Sequence, residues 1–176
     1  MKRTMLMLAA ALVVPMFSTA AMAEGPDDAQ IAAIVVAANQ VDIDAGKLAE
    51  SKASNPEVKA FAHRMVADHT DVNKQAVDLV TKLKVTPKEN PTSESLKAGG
   101  EKNLAHLKTL SGAAFDKAYI DHEVAYHQQV LDAVDKTLIP SAKNEELKAL
   151  LVKVRPAFVS HLDHAKKVKE MLHKKH

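Results

Sequence analysis

The sequence predicts an all-α fold, a four-helix bundle with an additional short or broken helix. Ala, Leu, Val, Lys and Glu dominate the composition, aromatic residues make up 3% of the chain, and tryptophan is absent. This usage is typical of helices rather than strands. Apolar residues recur at spacings of three and four along five segments, and no segment shows the alternation with period two that is typical of a strand.

The first 23 residues are predicted to be a secretory signal peptide. Lys2 and Arg3 provide positive charge, residues 5–17 are mostly apolar, and residues 21–23 form a small-x-small cleavage site. Cleavage there leaves residues 24–176 as a single domain, long enough to bury a core without disulfides. We therefore expect an exported, periplasmic protein. No later stretch approaches about 18 apolar residues, so we expect no transmembrane segment in the mature chain.

Cysteine and charge usage limit the classes of function that are open to the protein. The chain has no cysteine, which excludes thiol catalysis and thiolate metal sites, so any chemistry depends on His, Asp, Glu or hydroxyl groups. The full sequence has 24 basic and 22 acidic residues, and without Lys2 and Arg3 the two counts are equal. A neutral mature chain argues against a nucleic-acid partner, and the sequence identifies no protein partner.

The first two helices have clear start signals. Asp27 is a capping residue with Gln30 three residues later, in capping-box position. Asn55 caps the second helix, with Pro56 at the first helical position and Glu57 complementing the helix dipole. The two predicted core stripes are Ile31, Val35, Ala38, Asp42, Ala45 and Ala49, then Val58, Phe61, Met65, His69, Val72, Ala76, Leu79 and Leu83.

The later helices are interrupted by glycine and proline. A third helix, from about residue 93 to residue 110, carries Gly99 and Gly100 and is predicted to be broken or weak there. The fourth starts near Gly112 and is predicted to end at Pro140, while Pro156 predicts a kink or a fresh start in the last. Their stripes are Phe115, Ile120, Val124, His127, Leu131, Val134 and Leu138, then Leu147, Leu151, Val154, Phe158, His161, Ala165, Val168 and Leu172.

Four ionisable residues occupy positions on these apolar stripes, one on each long helix: Asp42, His69, His127 and His161. Core stripes normally exclude such residues. Burying them without a partner costs several kcal/mol, so we expect them to contact one another, a water molecule or a metal ion. Asp68, next to His69, either orients an imidazole or is an ordinary solvated residue.

Helix geometry tests whether these residues can meet. Asp42 lies 13 residues before Asn55 and His69 lies 14 after it, so the two are predicted to lie at nearly the same height along a helical hairpin. With the last turn centred near Ser141, His127 lies 14 residues before it and His161 lies 20 after it. That difference predicts an offset of about 9 Å.

Glu123 or His122 matches the height of His161 better, and Glu123 lies four residues before His127 on the same helix face. The candidate metal ligands are therefore Asp42, His69, Glu123, His127 and His161. Carboxylate and imidazole together suit iron, manganese, zinc or copper(II). The alternative interpretation is a polar layer whose members satisfy one another and only specify helix register.

Several segments resemble a known family. They are Val41, Asp42 and Ile43, residues 46–49, 58–62 and 65–70, Phe115 with Asp116 and Tyr119, His127 and His161. Over roughly residues 27–172 the chain resembles bacterial exported proteins labelled as outer-membrane proteins, which are built on a domain of unknown function. The resemblance implies a ferritin-like helical bundle and an envelope location, and it brings no established activity. The chain departs from the family pattern at Asp42 and Tyr126.

The leading hypothesis is a non-enzymatic periplasmic bundle that binds a transition metal through the layer of histidine and carboxylate groups. The alternative is a structural or interaction protein of the cell envelope, related to stress, in which the layer only specifies packing. A second alternative is a di-iron oxidoreductase. Such enzymes use Glu-x-x-His twice on core helices, and neither His69 nor His127 has Glu three residues earlier. No nucleophile elbow or phosphate-binding loop occurs.

Overall fold

The computed structural model describes residues 25–174, and within this range the chain is helical with no strand. The helices are α1 (Asp28–Lys52), α2 (Pro56–Lys82), α3 (Pro91–Lys108), α4 (Gly112–Ala133), α5 (Ile139–Ser141) and α6 (Glu145–Lys174). A π-helical segment, Val134–Leu138, joins α4 to α5. The all-α prediction is confirmed. The predicted signal peptide lies outside the described residues.

The predicted starts of α1 and α2 are confirmed. The Gln30 amide donates to the Asp27 side chain over 2.8 Å, and the Gln30 side chain accepts from the Asp27 amide over 3.0 Å. Asn55 accepts from the Glu57 amide over 2.9 Å. The Asp116 carboxylate of α4 accepts hydrogen bonds from the backbone amides of Ser54 and Asn55, over 3.0 and 2.9 Å. These bonds attach the turn between α1 and α2 to α4.

The predicted break at Gly99 and Gly100 is wrong, because α3 continues through both residues. A Cβ placed on Gly100 would lie 2.7 Å from Val41 Cγ2, whereas one on Gly99 would meet nothing within 4 Å. Gly100 therefore allows α3 to approach α1 closely. The packing gained there offsets a helix-propensity cost of about 1 kcal/mol for each glycine.

Two further expectations about proline are corrected. The helical path after α4 does not end at Pro140, since α5 includes this residue and ends at Ser141. A fresh helical start at Pro156 is also wrong, because α6 is one helix across that position. The buried apolar residues of α6 on both sides of Pro156, among them Leu151 and Phe158, belong to one continuous face. Packing of that face offsets the proline cost of about 3 kcal/mol.

The helices form a bundle in which α1 packs mainly on α2 and α3, and α4 packs mainly on α6. One apolar cluster near the α1–α2 turn includes Ala49, Phe61, Met65, Phe115, Tyr119 and Ala165. A second at the opposite end includes Ile31, Ile34, Ala76, Val134, Leu138, Leu147 and Leu151. None of the helices in residues 25–174 combines the length and the hydrophobicity that a membrane-spanning helix requires.

Candidate metal centre

The structure brings all five predicted ligands together in a buried layer between these two apolar clusters. Asp42 lies on α1, His69 on α2, Glu123 and His127 on α4, and His161 on α6. None of the five is more than 3% exposed. Two groups of three contain potential ligand atoms that all lie within 4.8 Å of one another: one is His69, His127 and His161, and the other is Asp42, Glu123 and His127.

The predicted offset of about 9 Å between His127 and His161 is wrong, since their ring centroids are 5.4 Å apart. The chain stays helical through the π-helical segment and α5, so the connection to α6 comprises residues 142–144. Counted from Lys143, His127 lies 16 residues before and His161 lies 18 after. The offset at helical rise is then about 3 Å.

Asn39 determines which nitrogen of His69 carries the proton. Asn39 Nδ2 donates to the Val35 carbonyl over 2.8 Å, so Asn39 Oδ1 is the acceptor that faces His69 Nδ1 at 2.7 Å. His69 Nδ1 therefore donates, and His69 Nε2 keeps its lone pair. That nitrogen lies 3.4 Å from both His127 Nε2 and Asp42 Oδ2.

The other two imidazoles are oriented in the same manner by outer acceptors. His127 Nδ1 donates to the Glu123 backbone carbonyl over 3.0 Å, which leaves His127 Nε2 with its lone pair. His161 Nε2 donates to Asp68 Oδ2 over 2.8 Å, and Arg64 also donates to this carboxylate oxygen. His161 Nδ1 is buried and has no hydrogen-bond partner.

Each of the three imidazoles thus has one nitrogen with a lone pair to which no N–H group donates. His69 Nε2 and His127 Nε2 face each other as two acceptors, an arrangement that is unfavourable unless a cation or a proton lies between them. Metal–ligand bonds of about 2.0–2.1 Å in a tetrahedral site place neighbouring ligand atoms about 3.4 Å apart. The two 3.4 Å distances at His69 Nε2 have this length, so the group can hold a metal ion.

The carboxyl groups of Asp42 and Glu123 form the second group of potential ligands, together with His127. Burial raises the pKa of both; the neighbouring Glu123 carboxyl opposes the rise in the pKa of Asp42, and the neighbouring Asp42 carboxyl adds to the rise in the pKa of Glu123. Asp42 Oδ1 and both Glu123 oxygens have no hydrogen-bond partner. The buried Tyr119 hydroxyl is also without a partner, and burial together with the charge of Glu123 raises its pKa. Several acceptor oxygens are therefore available to a cation.

The electrostatics of the layer keep the histidines uncharged. Burial, followed by the nearby His127 and His161, lowers the pKa of His69 well below its usual value. Burial lowers the pKa of His127 to about 3. Burial also lowers the pKa of His161, although its hydrogen bond to Asp68 opposes the shift. At neutral pH all three imidazoles are in the form that binds metal ions.

Sequence reasoning missed Asn39 and did not decide the role of Asp68. Asn39 is 2% exposed and interrupts an apolar stretch of α1, which is the signal that could have identified it. Asp68 contacts His161 on another helix rather than its neighbour His69. Such outer acceptors fix the tautomer and ring orientation of metal-binding histidines. Phe158 stacks on His69, with ring centroids 5.4 Å apart, and further restricts the orientation of the His69 ring.

The fold and the site define a helical protein with a buried histidine and carboxylate centre. The chain belongs to the family described as domain of unknown function (DUF4142), whose model matches residues 14–168. This agrees with the family resemblance seen in the sequence, as far as the domain of unknown function is concerned. Neither the comparison with curated proteins nor that with solved structures found a match.

Proposed function

We propose that this protein binds a transition-metal ion at a centre formed by His69, His127, His161 and Asp42, with Glu123 as the adjacent carboxylate. The observation that carries the proposal is the convergence of three neutral imidazoles, each with one nitrogen held by an outer acceptor and the other without a hydrogen. Histidine ligands in metalloproteins are held in this manner. A purely structural polar layer would give each buried group a partner of its own.

The donor set narrows the choice of metal. Imidazole ligands suit zinc, copper(II) and iron, whereas manganese prefers carboxylate and water ligands. A centre of three imidazoles and one carboxylate therefore favours zinc, copper(II) or iron over manganese. Because Asp42 and Glu123 can supply at most two negative charges, a divalent ion would be neutralised without further anions.

The bundle and the expected export complete the proposal. Four long helices, α1, α2, α4 and α6, each contribute to the centre, and this supports a four-helix, ferritin-like arrangement with α3 as the additional helix. The sequence of residues 1–23 supports export to the periplasm. There the protein would sequester its metal without catalysing a reaction. In the part of the chain that the structure describes, Asp42 and Glu123 are the carboxylates in the centre, fewer than a di-iron site of the ferritin type uses.

Elemental analysis of the mature protein, purified without a tag, tests the proposal. The double variant His69→Ala/His127→Ala removes two ligands from the core. A matched control, His63→Ala/His106→Ala, removes two histidines from exposed positions. We expect about one metal ion per chain in the wild type and the control, and almost none in the core variant. Equal metal content in all three proteins would refute the proposal.

A further inference from the structure

The carboxyl groups around the candidate metal centre differ in the charges that face them. Asp68 contacts His161 from the outer side of the layer. Arg64 forms an ion pair with this carboxylate over 3.2 Å, and both of these side chains are partly exposed to solvent. The protein itself therefore balances the charge of Asp68, so this carboxylate leaves no net charge for an ion.

The basic neighbours of Asp42 and Glu123 carry no charge of their own. In the part of the chain that the structure describes, the basic side chains that contact these two carboxyl groups are His69 and His127, each at 3.4 Å. Burial lowers the pKa of both imidazoles, so they are uncharged at neutral pH. Glu123 is fully buried, and neither of its carboxyl oxygens has a hydrogen-bond partner. An ionised carboxylate is strongly disfavoured in such a place unless a positive charge joins it.

This arrangement relates the charge of the site to the charge of the ion that fits it. The three proposed histidine ligands are neutral, so Asp42 and Glu123 are the negative charges that a bound ion meets. A buried ion is stable only where nearby charges compensate it. Two ionised carboxylates match a divalent ion. With a monovalent ion, one carboxylate would remain uncompensated or would have to keep its proton.

We infer that Glu123 determines which ion charge the centre prefers, and that it favours a divalent ion such as zinc(II) or copper(II) over a monovalent ion such as copper(I). The inference rests on the proposed function, because it concerns the ion held at that centre. Asp42 supplies the first negative charge, 3.4 Å from His69 Nε2, and Glu123 supplies the second. The imidazoles do not make this choice, because a neutral ring adds no charge to the site.

The expected preference follows from the distances in the layer. The potential ligand atoms of Asp42, Glu123 and His127 lie within 4.8 Å of one another. At a separation of this size and an effective dielectric constant of about 20, two unit charges attract strongly enough to change an equilibrium more than about 100-fold. Removing the proton from a buried carboxyl group offsets part of this gain. We therefore expect a net preference of at least about tenfold.

Zinc(II) and copper(I) are the two probes, because both have a filled d shell and they differ by one charge. Competition with chromogenic chelators measures the affinity of the mature protein for each ion, in the absence of oxygen for copper(I). In Glu123→Gln, which keeps the shape of the side chain, the ratio of the zinc(II) affinity to the copper(I) affinity should fall at least about tenfold. If this variant does not fold, Glu123→Leu also removes the charge.

Two further variants separate charge from shape. Glu123→Asp keeps the charge and shortens the side chain, and it should hold the affinity ratio within about threefold of the wild type, since Coulomb attraction changes slowly with distance. Glu101→Gln removes a carboxyl group from an exposed position of α3 and should leave the ratio unchanged.

The reduction potential of the copper-loaded protein measures the same preference independently. A residue that favours copper(II) over copper(I) lowers this potential. A tenfold change in the ratio of the two copper affinities corresponds to about 59 mV for a one-electron couple. Glu123→Gln should therefore raise the potential by at least about 59 mV, and Glu101→Gln should not change it.

The outcomes separate this inference from the proposed function. A wild-type protein that binds neither zinc(II) nor copper would refute the proposed function and the inference with it. Metal binding with the same affinity ratio in the wild type and in Glu123→Gln would overturn the inference alone. A ratio that falls as far in Glu123→Asp as in Glu123→Gln would also overturn it, because the length of the side chain would then decide.

Discussion

The histidine side and the carboxylate side of the centre differ in how the protein holds them. Each imidazole donates one hydrogen bond to an outer acceptor: the Asn39 side chain, the Glu123 backbone carbonyl or the Asp68 carboxylate. Asp42 Oδ1 and both carboxyl oxygens of Glu123 have no hydrogen-bond partner, and burial raises the pKa of both groups. The imidazoles are therefore held in one orientation by the protein alone, whereas the two carboxyl groups are buried at a cost in stability.

In the proposed metal site, this difference assigns separate roles to the histidines and to the carboxyl groups. The histidines supply geometry, because each ring is held with its lone pair directed inward. The carboxyl groups supply charge, and the fold tolerates them at a cost in stability that the ion removes. Substitutions on the histidine side should change mainly the metal affinity. Substitutions on the carboxylate side should change the metal affinity and the stability of the metal-free protein in opposite directions.

Removing His127 should have the largest effect, because it belongs to both groups of potential ligands. Substitution of an outer acceptor typically costs metal affinity about 10–100-fold. We expect loss of the ligand itself in His127→Ala to exceed this range, as measured by competition with a chromogenic chelator. The exposed-position control His106→Ala should bind as the wild type does. A His127→Ala protein with wild-type affinity would show that the histidine side holds no ion.

Removing the outer acceptors should have the next largest effect. Asn39→Leu and Asp68→Ala leave all ligands in place but release His69 and His161 from their orientation. We expect each to weaken metal binding about 10–100-fold, again by chelator competition. Asp71→Ala, an exposed residue of the same helix as Asp68, is the control. If Asp68→Ala and Asp71→Ala bound metal equally well, preorganisation of His161 would be excluded.

The carboxylate side should respond with opposite signs in two measurements. Glu123→Gln keeps the shape of the side chain and removes a buried carboxyl group that has no donor. We expect the free energy of unfolding of the metal-free protein at pH 7 to increase by about 1–3 kcal/mol in urea titrations. Metal affinity should decrease in the same variant. Glu101→Gln, at an exposed position of α3, should change neither quantity, and a destabilised Glu123→Gln would contradict the interpretation.

Because the fold keeps the three histidines uncharged, lowering the pH should reduce the free energy of unfolding of the metal-free protein. The folded-state pKa values of His69, His127 and His161 are lowered, so below about pH 6.5 the unfolded chain binds protons that the folded chain does not. Each such histidine lowers stability by up to about 1.4 kcal/mol for every pH unit below that value. For His127 this loss continues toward pH 3, where its folded-state pKa lies.

The carboxyl pair acts in the opposite direction. Its raised pKa values mean that the folded protein keeps a proton that the unfolded chain loses above about pH 4, so this contribution to stability declines as pH rises. We expect urea titrations between pH 4.5 and 7.5, with a chelator present, to show that the free energy of unfolding falls less steeply toward acid in His69→Gln/His127→Gln than in the wild type. The same slope in both proteins would mean that these histidines are not held neutral by the fold.

Much of the fold could be predicted because its signals are local. The caps at Asp27 and Asn55 satisfy amides within their own first turn, and the apolar stripes follow from helical spacing alone. The predicted break in α3 failed because propensity ignores neighbours: Gly100 lies against Val41 of α1, where a side chain would collide. Pro156 was misjudged for the same reason, since packing of α6 outweighs one lost hydrogen bond.

The sequence by itself determined that ionisable residues stand where four helices bury their apolar faces, because burial without a partner is too costly to be accidental at four positions. Only the tertiary structure decided how these residues meet. The register of α4 against α6 depends on where the chain turns, and the free nitrogen of each imidazole depends on acceptors such as Asn39 and Asp68. Asn39 and His69 are separated by 30 positions in the sequence, and Asp68 and His161 by 93 positions. Local helix geometry holds no information about contacts between residues so far apart in the chain.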